Sequence, residues 1–299
     1  MRFSCEKFSK PFGVPVKTSR GTFPYRESLV VRIEDAFGDS SCGEIAPWDG
    51  FGCETLADAE AFLQSCGPCV PDEIPESLPC TAHAFSAAKF FLENPDCRNA
   101  SGPQQRLCAK LIRRSREDSP EKILEEIARE RVTGFSVFKI KIGLEEQAAE
   151  LNFCEKILCG VPAGTRVRFD ANGAFSAEAL PRLAELSNLP GTDFFEQPLP
   201  PSPKNDEKIF EFSGATEAKF ALDESVRDPW AFPCYTRVVA VVKPLLVSDF
   251  RRLLAWLENS HGADVVISTV FENSSAGTDA LRLACSRIAE NRRRPFGLG

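Results

Sequence analysis

Ser136-Val137-Phe138-Lys139-Ile140-Lys141-Ile142 is the stretch on which the fold turns. It is an apolar, strand-like run interrupted by two lysines set two apart, so both fall on one face of a strand. Gly134 just before it sits where a helix should stop. A helical pattern follows, with Leu144, Ala148, Leu151 and Leu158 on its apolar side, and then a second strand-like run from Arg166 to Phe169.

The alternation extends in both directions. Leu107 to Ile112 precedes the pair, and Asp193 to Glu196, Phe220 to Asp223, Val238 to Val242 and Asp264 to Ser268 follow it. Ser119-Pro120 combines a cap with proline at the first helical position; Ser176 and Ser248 are further caps, and Gly262 a further stop. Seven runs, with an eighth near Pro295 to Leu298, predict a (β/α)7β modified barrel over residues 105–299, just under the usual lower limit of about 200 residues. An open doubly wound sheet is the competing architecture, but no Gly-x-Gly-x-x-Gly turn follows the first strand.

Residues 1–104 read differently, as an α+β module. Ser28 to Ile33 and Ser41 to Ile45 predict strands joined by a turn at Ala36 to Asp39. Leu56 to Gln64 and Cys80 to Leu92 predict helices, the latter with Ala84, Ala88 and Phe91 at helical spacing.

A net charge of -7 without a long basic run argues against nucleic acid as a partner and leaves small-molecule chemistry open. No apolar run is long enough to span a bilayer, and Met1-Arg2-Phe3-Ser4-Cys5 lacks the apolar core of a secretory leader, so a cytoplasmic location is expected. The 12 cysteines are too dispersed for a disulfide scaffold. Cys66-Gly67-Pro68-Cys69 has redox-pair spacing, but the prolines at 71 and 75 break the helix that such a pair requires directly after it. The two histidines, His83 and His261, read as structural, since neither lies near a strand end.

Chemistry-bearing residues fall where the strands end. Lys139 and Lys141 close the second run, Asp170 follows the third, Glu196 ends the fourth, Asp223 the fifth, and Lys243 follows the sixth. In a (β/α) barrel these ends converge on the mouth, where catalysis takes place. Asp170, Glu196 and Asp223 are 26 and 27 residues apart, one strand-helix unit each, which predicts three carboxylates side by side at one height. Such a trio calls for a cation, and oxygen ligands favour Mg²⁺, with Mn²⁺ as a substitute. Each acid taken singly reads equally well as a solvated loop residue or a lysine's partner; three in step point to a shared ion. Repulsion between two ammonium groups on one face, together with the ion, should lower the pKa values of both lysines and suits one of the pair to act as a base. Lys243 should approach from the opposite side. Metal plus lysines implies removal of a proton next to a carboxylate.

Five motifs in order then carry a resemblance: Phe138-Lys139-Ile140-Lys141-Ile142-Gly143, Arg168-Phe169-Asp170-Ala171-Asn172-Gly173, Phe195-Glu196-Gln197-Pro198, Leu222-Asp223-Glu224-Ser225 and Val242-Lys243-Pro244. The chain resembles the muconate-lactonising branch of the enolase superfamily, and its Pro295-Phe296-Gly297-Leu298-Gly299 is similar to the corresponding stretch of the o-succinylbenzoate synthases. That resemblance implies a magnesium-dependent dehydratase of menaquinone biosynthesis with an N-terminal capping domain. Position by position, it implies Asp170, Glu196 and Asp223 as metal ligands, Asn172 and Glu224 in support, Lys141 as base, Lys139 as its tuner, and Lys243 facing the enolate. Cap loops at Thr18, Ser19, Arg20 and Gly21 and at Gly50, Phe51 and Gly52 would close on a small carboxylate substrate, with Ser268, Thr269 and Gly297 contributing from the barrel. A racemase of N-succinyl amino acids is the alternative within the superfamily.

Overall fold

The computed structural model describes all residues except 19–20, 49–50, 105–106, 232–237, 260–263, 289–293 and 299. Ser19, Arg20, Gly50, His261, Gly262 and the expected boundary at residues 104–105 therefore fall on or beside positions outside the described residues.

Three antiparallel strands open the chain: β1 (Arg2–Thr18), β2 (Gly21–Glu34) and β3 (Ser40–Ile45), in the order β1-β2-β3. The sequence pattern did not reveal β1, because Pro11, Gly13 and Pro15 interrupt it. As an edge strand it tolerates them: proline gives up an N–H that no partner strand needs, and the register shifts between Pro11 and Val16. Strand β2 is longer than the expected Ser28 to Ile33 for the same reason, since β1 supplies partners back to Gly21.

Helices α1 (Leu56–Ser65) and α2 (Pro79–Glu93) follow. Thr55 and Asp58 form a reciprocal capping box on α1. Helix α2 lies so close on β3 that a Cβ at Gly43 would stand 1.9 Å from the Ala84 carbonyl oxygen. Cys66 ends α1, and no helix begins again until Pro79, so the Cys66–Cys69 pair lacks the helix expected of a redox motif.

From Lys110 onward, strands and helices alternate: β4 (Lys110–Ile112), α3 (Pro120–Val132), β5 (Val137–Lys141), α4 (Gln147–Gly160), β6 (Arg166–Asp170), α5 (Leu180–Ser187), β7 (Thr192–Glu196), α6 (Pro203–Thr216), β8 (Phe220–Leu222), β9 (Val238–Val242), α7 (Phe250–Asn259), β10 (Asp264–Ile267) and α8 (Ser275–Ser286). The seven strands form one curled parallel sheet in the order β10-β9-β8-β7-β6-β5-β4. Phe296 and Gly297 bond to both of its edges. Phe296 exchanges hydrogen bonds with Leu107 and Ala109 beside β4, and Gly297 with Ile267 and Thr269 at β10. Ser119 caps α3 through Lys122 N, and Gly134 ends it at φ +103°, as expected. Ser248 does not cap α7; its hydroxyl turns to Asp228, and Asp249 accepts from Arg252 N instead. Ser176 likewise bonds Gln147 rather than a helix end.

Alternation divides the core in two. Phe194, Ala221, Val239, Val241 and Val266 form a small cluster of their own, apart from the large core that packs the helices onto the sheet. Phe194, Ala221, Val241 and Val266 each stand two residues before Glu196, Asp223, Lys243 and Ser268, on the same strand face. The polar groups thus rest on a largely apolar floor, joined beneath Asp170 by buried Arg168, which pairs with Asp193 and lies over the Phe194 ring.

The N-terminal sheet docks onto the loops at that mouth. Glu44 of β3, 1% exposed, accepts hydrogen bonds from the backbone N–H groups of Asn273 and Ser274 and from the Ser274 hydroxyl. Arg26 of β2 donates to the Phe271 carbonyl, and His83 of α2 bonds the Val247 carbonyl at 3.0 Å. No helix among the described residues is long and apolar enough to cross a membrane.

Candidate active site

Strand β5 delivers Lys139 and Lys141 to one carboxylate. Their ammonium nitrogens stand 2.9 and 3.1 Å from Oδ2 of Asp170 at the end of β6. Lys139 also reaches Oε1 of Glu196 at 2.7 Å. Across the strands, Lys243 bonds Oδ1 of Asp223. The loop after β5 is fixed by buried Glu150, which accepts from Leu144 N (3.0 Å), Glu145 N (2.9 Å) and Arg114 Nη1 (2.7 Å).

The three acids are almost fully buried, at 1%, 2% and 4% exposure. Asp170 pairs with Glu196 in the sheet register, whereas Glu196 pairs with Ala221, which leaves Asp223 one pleat further along. Strands tilt as a sheet curls, so a register offset of this kind is how successive strand ends stay near one height. Among the described residues, the three acids do not bring their oxygens within 4.8 Å of one another as a set. They surround lysine ammonium groups instead.

Asn172 joins the lysines to Glu224. Its carbonyl accepts from Lys141, its amide donates to Glu224 Oε1 at 2.9 Å, and its own N–H donates to Asp170 at 3.1 Å. Asn172 holds φ +44°, a left-handed conformation that asparagine tolerates better than most residues. Gln197, which the spacing argument passed over, is fully buried at φ +37°. Its Oε1 accepts from Asp223 N (3.0 Å) and Ser225 N (3.2 Å), setting the loop that carries Asp223 and Glu224. Its signals in the sequence were its place directly after a strand-ending glutamate and its presence in the Phe195-Glu196-Gln197-Pro198 motif.

Burial sets the electrostatics and the lysines offset it. Burial would lower the Lys139 pKa, but Asp170, Glu196 and Asp223 outweigh it and hold the ammonium above its ordinary value, reversing the expected direction. Burial would raise the Asp170 carboxyl; Lys139 and Lys141 overcome that and keep it well below the carboxylate range. Glu196 is pushed up to about 7 by burial, with Asp170 and Asp223 adding to the rise against the pull of Lys139. Asp223 is also raised, by burial first, despite Lys243. Oε2 of Glu224 is buried without a hydrogen-bond partner, and the site gathers four carboxylates (Asp170, Glu196, Asp223, Glu224) around three lysines. An all-oxygen donor set with charge left uncompensated fits a hard divalent cation such as Mg²⁺.

Phe51 lies with its ring 4.4 Å from the Lys243 nitrogen. It borders a cavity of about 540 Å³ whose lining includes Tyr25, Trp48, Glu224 and Arg227. A larger cavity, about 700 Å³, lies against α6 and is lined by none of the lysines or the three acids. Of the remaining expected contacts, Ser268 donates to the Gly297 carbonyl at 3.1 Å and Thr269 bonds Glu272, so both hydroxyl protons are engaged within the chain. Gly297 is pressed against Ser268, whose Oγ would be 2.8 Å from an added Cβ. Thr18 ends β1, away from these groups in sequence, and pairs with Gly21.

Residues 122–244 match a family model described as enolase C-terminal domain-like. The o-succinylbenzoate synthase of Thermosynechococcus vestitus is 30% identical over 233 residues, covering 76% of this chain and 69% of that protein. That of Proteus mirabilis is 28% identical over 287 residues, covering 93% and 84%. Among solved structures, the o-succinylbenzoate synthase of Thermosynechococcus elongatus, complexed with Mg in its active site, aligns with a TM-score of 0.79 at 25% identity, over 100% of this chain and 93% of that one. A dipeptide epimerase from Enterococcus faecalis aligns with a TM-score of 0.77 at 18% identity, over 99% and 89%, a likeness of fold alone.

Proposed function

The chain belongs to the o-succinylbenzoate synthase family of the enolase superfamily, and from that premise we propose that it dehydrates 2-succinyl-6-hydroxy-2,4-cyclohexadiene-1-carboxylate to 2-succinylbenzoate. The observation that carries the reading is the meeting of Lys139 and Lys141 at Asp170, with Lys243 held at Asp223 across the strands.

In this reading Asp170, Glu196 and Asp223 hold Mg²⁺, with Mn²⁺ able to replace it, and Asn172 and Glu224 orient that set. When bound, the ion supplies positive charge at the substrate carboxylate, where negative charge builds as the proton departs. Lys141 Nζ, as the free amine, takes the proton from the carbon bearing the carboxylate. The electrons of that C–H bond form the new ring double bond, and the C–O bond to the neighbouring hydroxyl breaks. Lys141 returns its proton to the departing hydroxide as water, leaving an aromatic ring. Lys139 keeps Asp170 and Glu196 paired beneath it, and Lys243 faces the developing negative charge from the β9 side. Residues 1–104 serve as the cap and 105–299 as a barrel closed by Phe296 and Gly297 as its eighth strand. Phe51, with Tyr25 and Trp48, lines the cavity beside Lys243; among the described residues, Thr18, Ser268, Thr269 and Gly297 are the remaining candidates to border the substrate.

Purified protein with Mg²⁺ should convert the cyclohexadiene to the aromatic product. Chelation should abolish turnover, and Lys141→Ala should lower kcat by about 10²–10⁴-fold while leaving the circular dichroism spectrum unchanged. Turnover in Lys141→Ala equal to wild type refutes the assignment. Lysines on both sides of the site would also serve a racemase of N-succinyl amino acids; deuterium exchange into both enantiomers without dehydration of the cyclohexadiene would favour that alternative.

A further inference from the structure

Behind the Phe51 loop lies a second cluster that the dehydration does not use. Cys53, Glu54 and Cys80 bring one ligand atom each to within 4.8 Å of one another. A tetrahedral ion with Zn–S bonds of about 2.3 Å needs sulfurs about 3.8 Å apart, which a separation of no more than 4.8 Å approaches. We propose that Cys53, Glu54 and Cys80 form a second metal site, selective for a thiophilic divalent cation such as Zn²⁺.

The donor types separate this site from the carboxylate set. Two sulfurs and one oxygen suit zinc and disfavour Mg²⁺. The ligands are also held in place. Glu54 is fixed by Cys80 N at 3.1 Å and Thr81 N at 2.6 Å, which leaves lone pairs free on both of its oxygens. Cys80 sits in the first turn of α2, where the helix end favours a thiolate. The Cys80 thiol draws the Cys53 pKa down, and burial pushes that of Cys80 up, so one proton leaves readily and the second leaves as the metal arrives. Each S–metal bond forms as one thiol proton passes to solvent, so affinity should fall with falling pH. Arg26, whose charge senses both cysteines, offsets the excess negative charge. Access is open on the Cys53 side, which lines cavities of about 490 and 540 Å³, and the open position takes a water. Occupancy ties the loop that carries Phe51 to the start of α2.

The test uses the full-length reduced protein, freed of metal and then saturated with Mg²⁺ so that oxygen sites are filled, and titrated with Co²⁺. The inference expects one equivalent of Co²⁺ with sulfur-to-cobalt charge-transfer absorption, displaced by Zn²⁺ and lost in both Cys53→Ala and Cys80→Ala. Because Cys80 is buried and its variant is liable to misfold, Cys53→Ala decides the matter together with protection of Cys53 from iodoacetamide by Zn²⁺, read by peptide mass. Absence of the absorption in the Mg²⁺-saturated protein, or its persistence in Cys53→Ala, overturns the site. None of these readouts depends on dehydratase turnover.

Discussion

Lys139, Lys141, Asp170, Glu196, Asp223 and Lys243 were legible because each ends or directly follows an apolar strand, and strand ends in an alternating fold share one rim. The mutual arrangement was not legible. Asp223 stands a pleat beyond its neighbours in the sheet register, and Gln197 makes its contribution through two backbone N–H groups rather than through charge. His83 shows the same contrast: its sequence position marked it as structural, but only burial shows what it does. Its ring is 1% exposed, bonds Val247 and meets the Phe250 ring edge-on. Burial lowers its pKa from 6.5 to about 4. The unfolded chain therefore takes up this proton near pH 6.5 and the folded chain only near 4. Stability from the neutral ring is complete above pH 6.5 and is lost as pH falls toward 4, by about 3 kcal/mol. Denaturant unfolding across that window should show wild type losing about 3 kcal/mol more than His83→Gln as pH falls, over the slope that Glu196 and other carboxylates give both; parallel curves contradict it.

Strands and helices after residue 105 announced themselves because buried parallel strands read as unbroken apolar runs between amphipathic helices. Strand β1 did not, since an exposed edge strand with two prolines and a glycine carries neither alternation nor an apolar run. The caps were half legible: Ser119 caps α3, whereas the start of α7 belongs to Asp249. Contact between β3 and α2 is tighter than any pattern reveals. An alanine at Gly43 would place its methyl 1.9 Å from a helix carbonyl that cannot swing away. Gly43→Ala should cost about 1–3 kcal/mol, read as a lowered denaturation midpoint, with a midpoint equal to wild type as the contrary result.

At the scale of the molecule, the cap is joined to the barrel through contacts that sequence separation hides. Glu44 and Asn273 are 229 residues apart, yet one buried carboxylate gathers three donors across that interface. Glu44→Ala leaves those donors without partners and should lower stability by on the order of 3 kcal/mol; an unaltered unfolding curve argues against the docking role. The largely apolar floor below and the docked cap above keep Lys139 and Lys243 mostly out of water, at 19% and 11% side-chain exposure, while Lys141 stays 42% exposed. The most direct measurement compares single-turnover dehydration of the cyclohexadiene carrying hydrogen or deuterium on the carbon that bears the carboxylate, in the Mg²⁺-loaded wild type and in Lys141→Ala. The account predicts that deuterium slows the wild-type reaction several-fold and that Lys141→Ala forms product at least about 100-fold more slowly. Product formation at the wild-type rate in Lys141→Ala would contradict it.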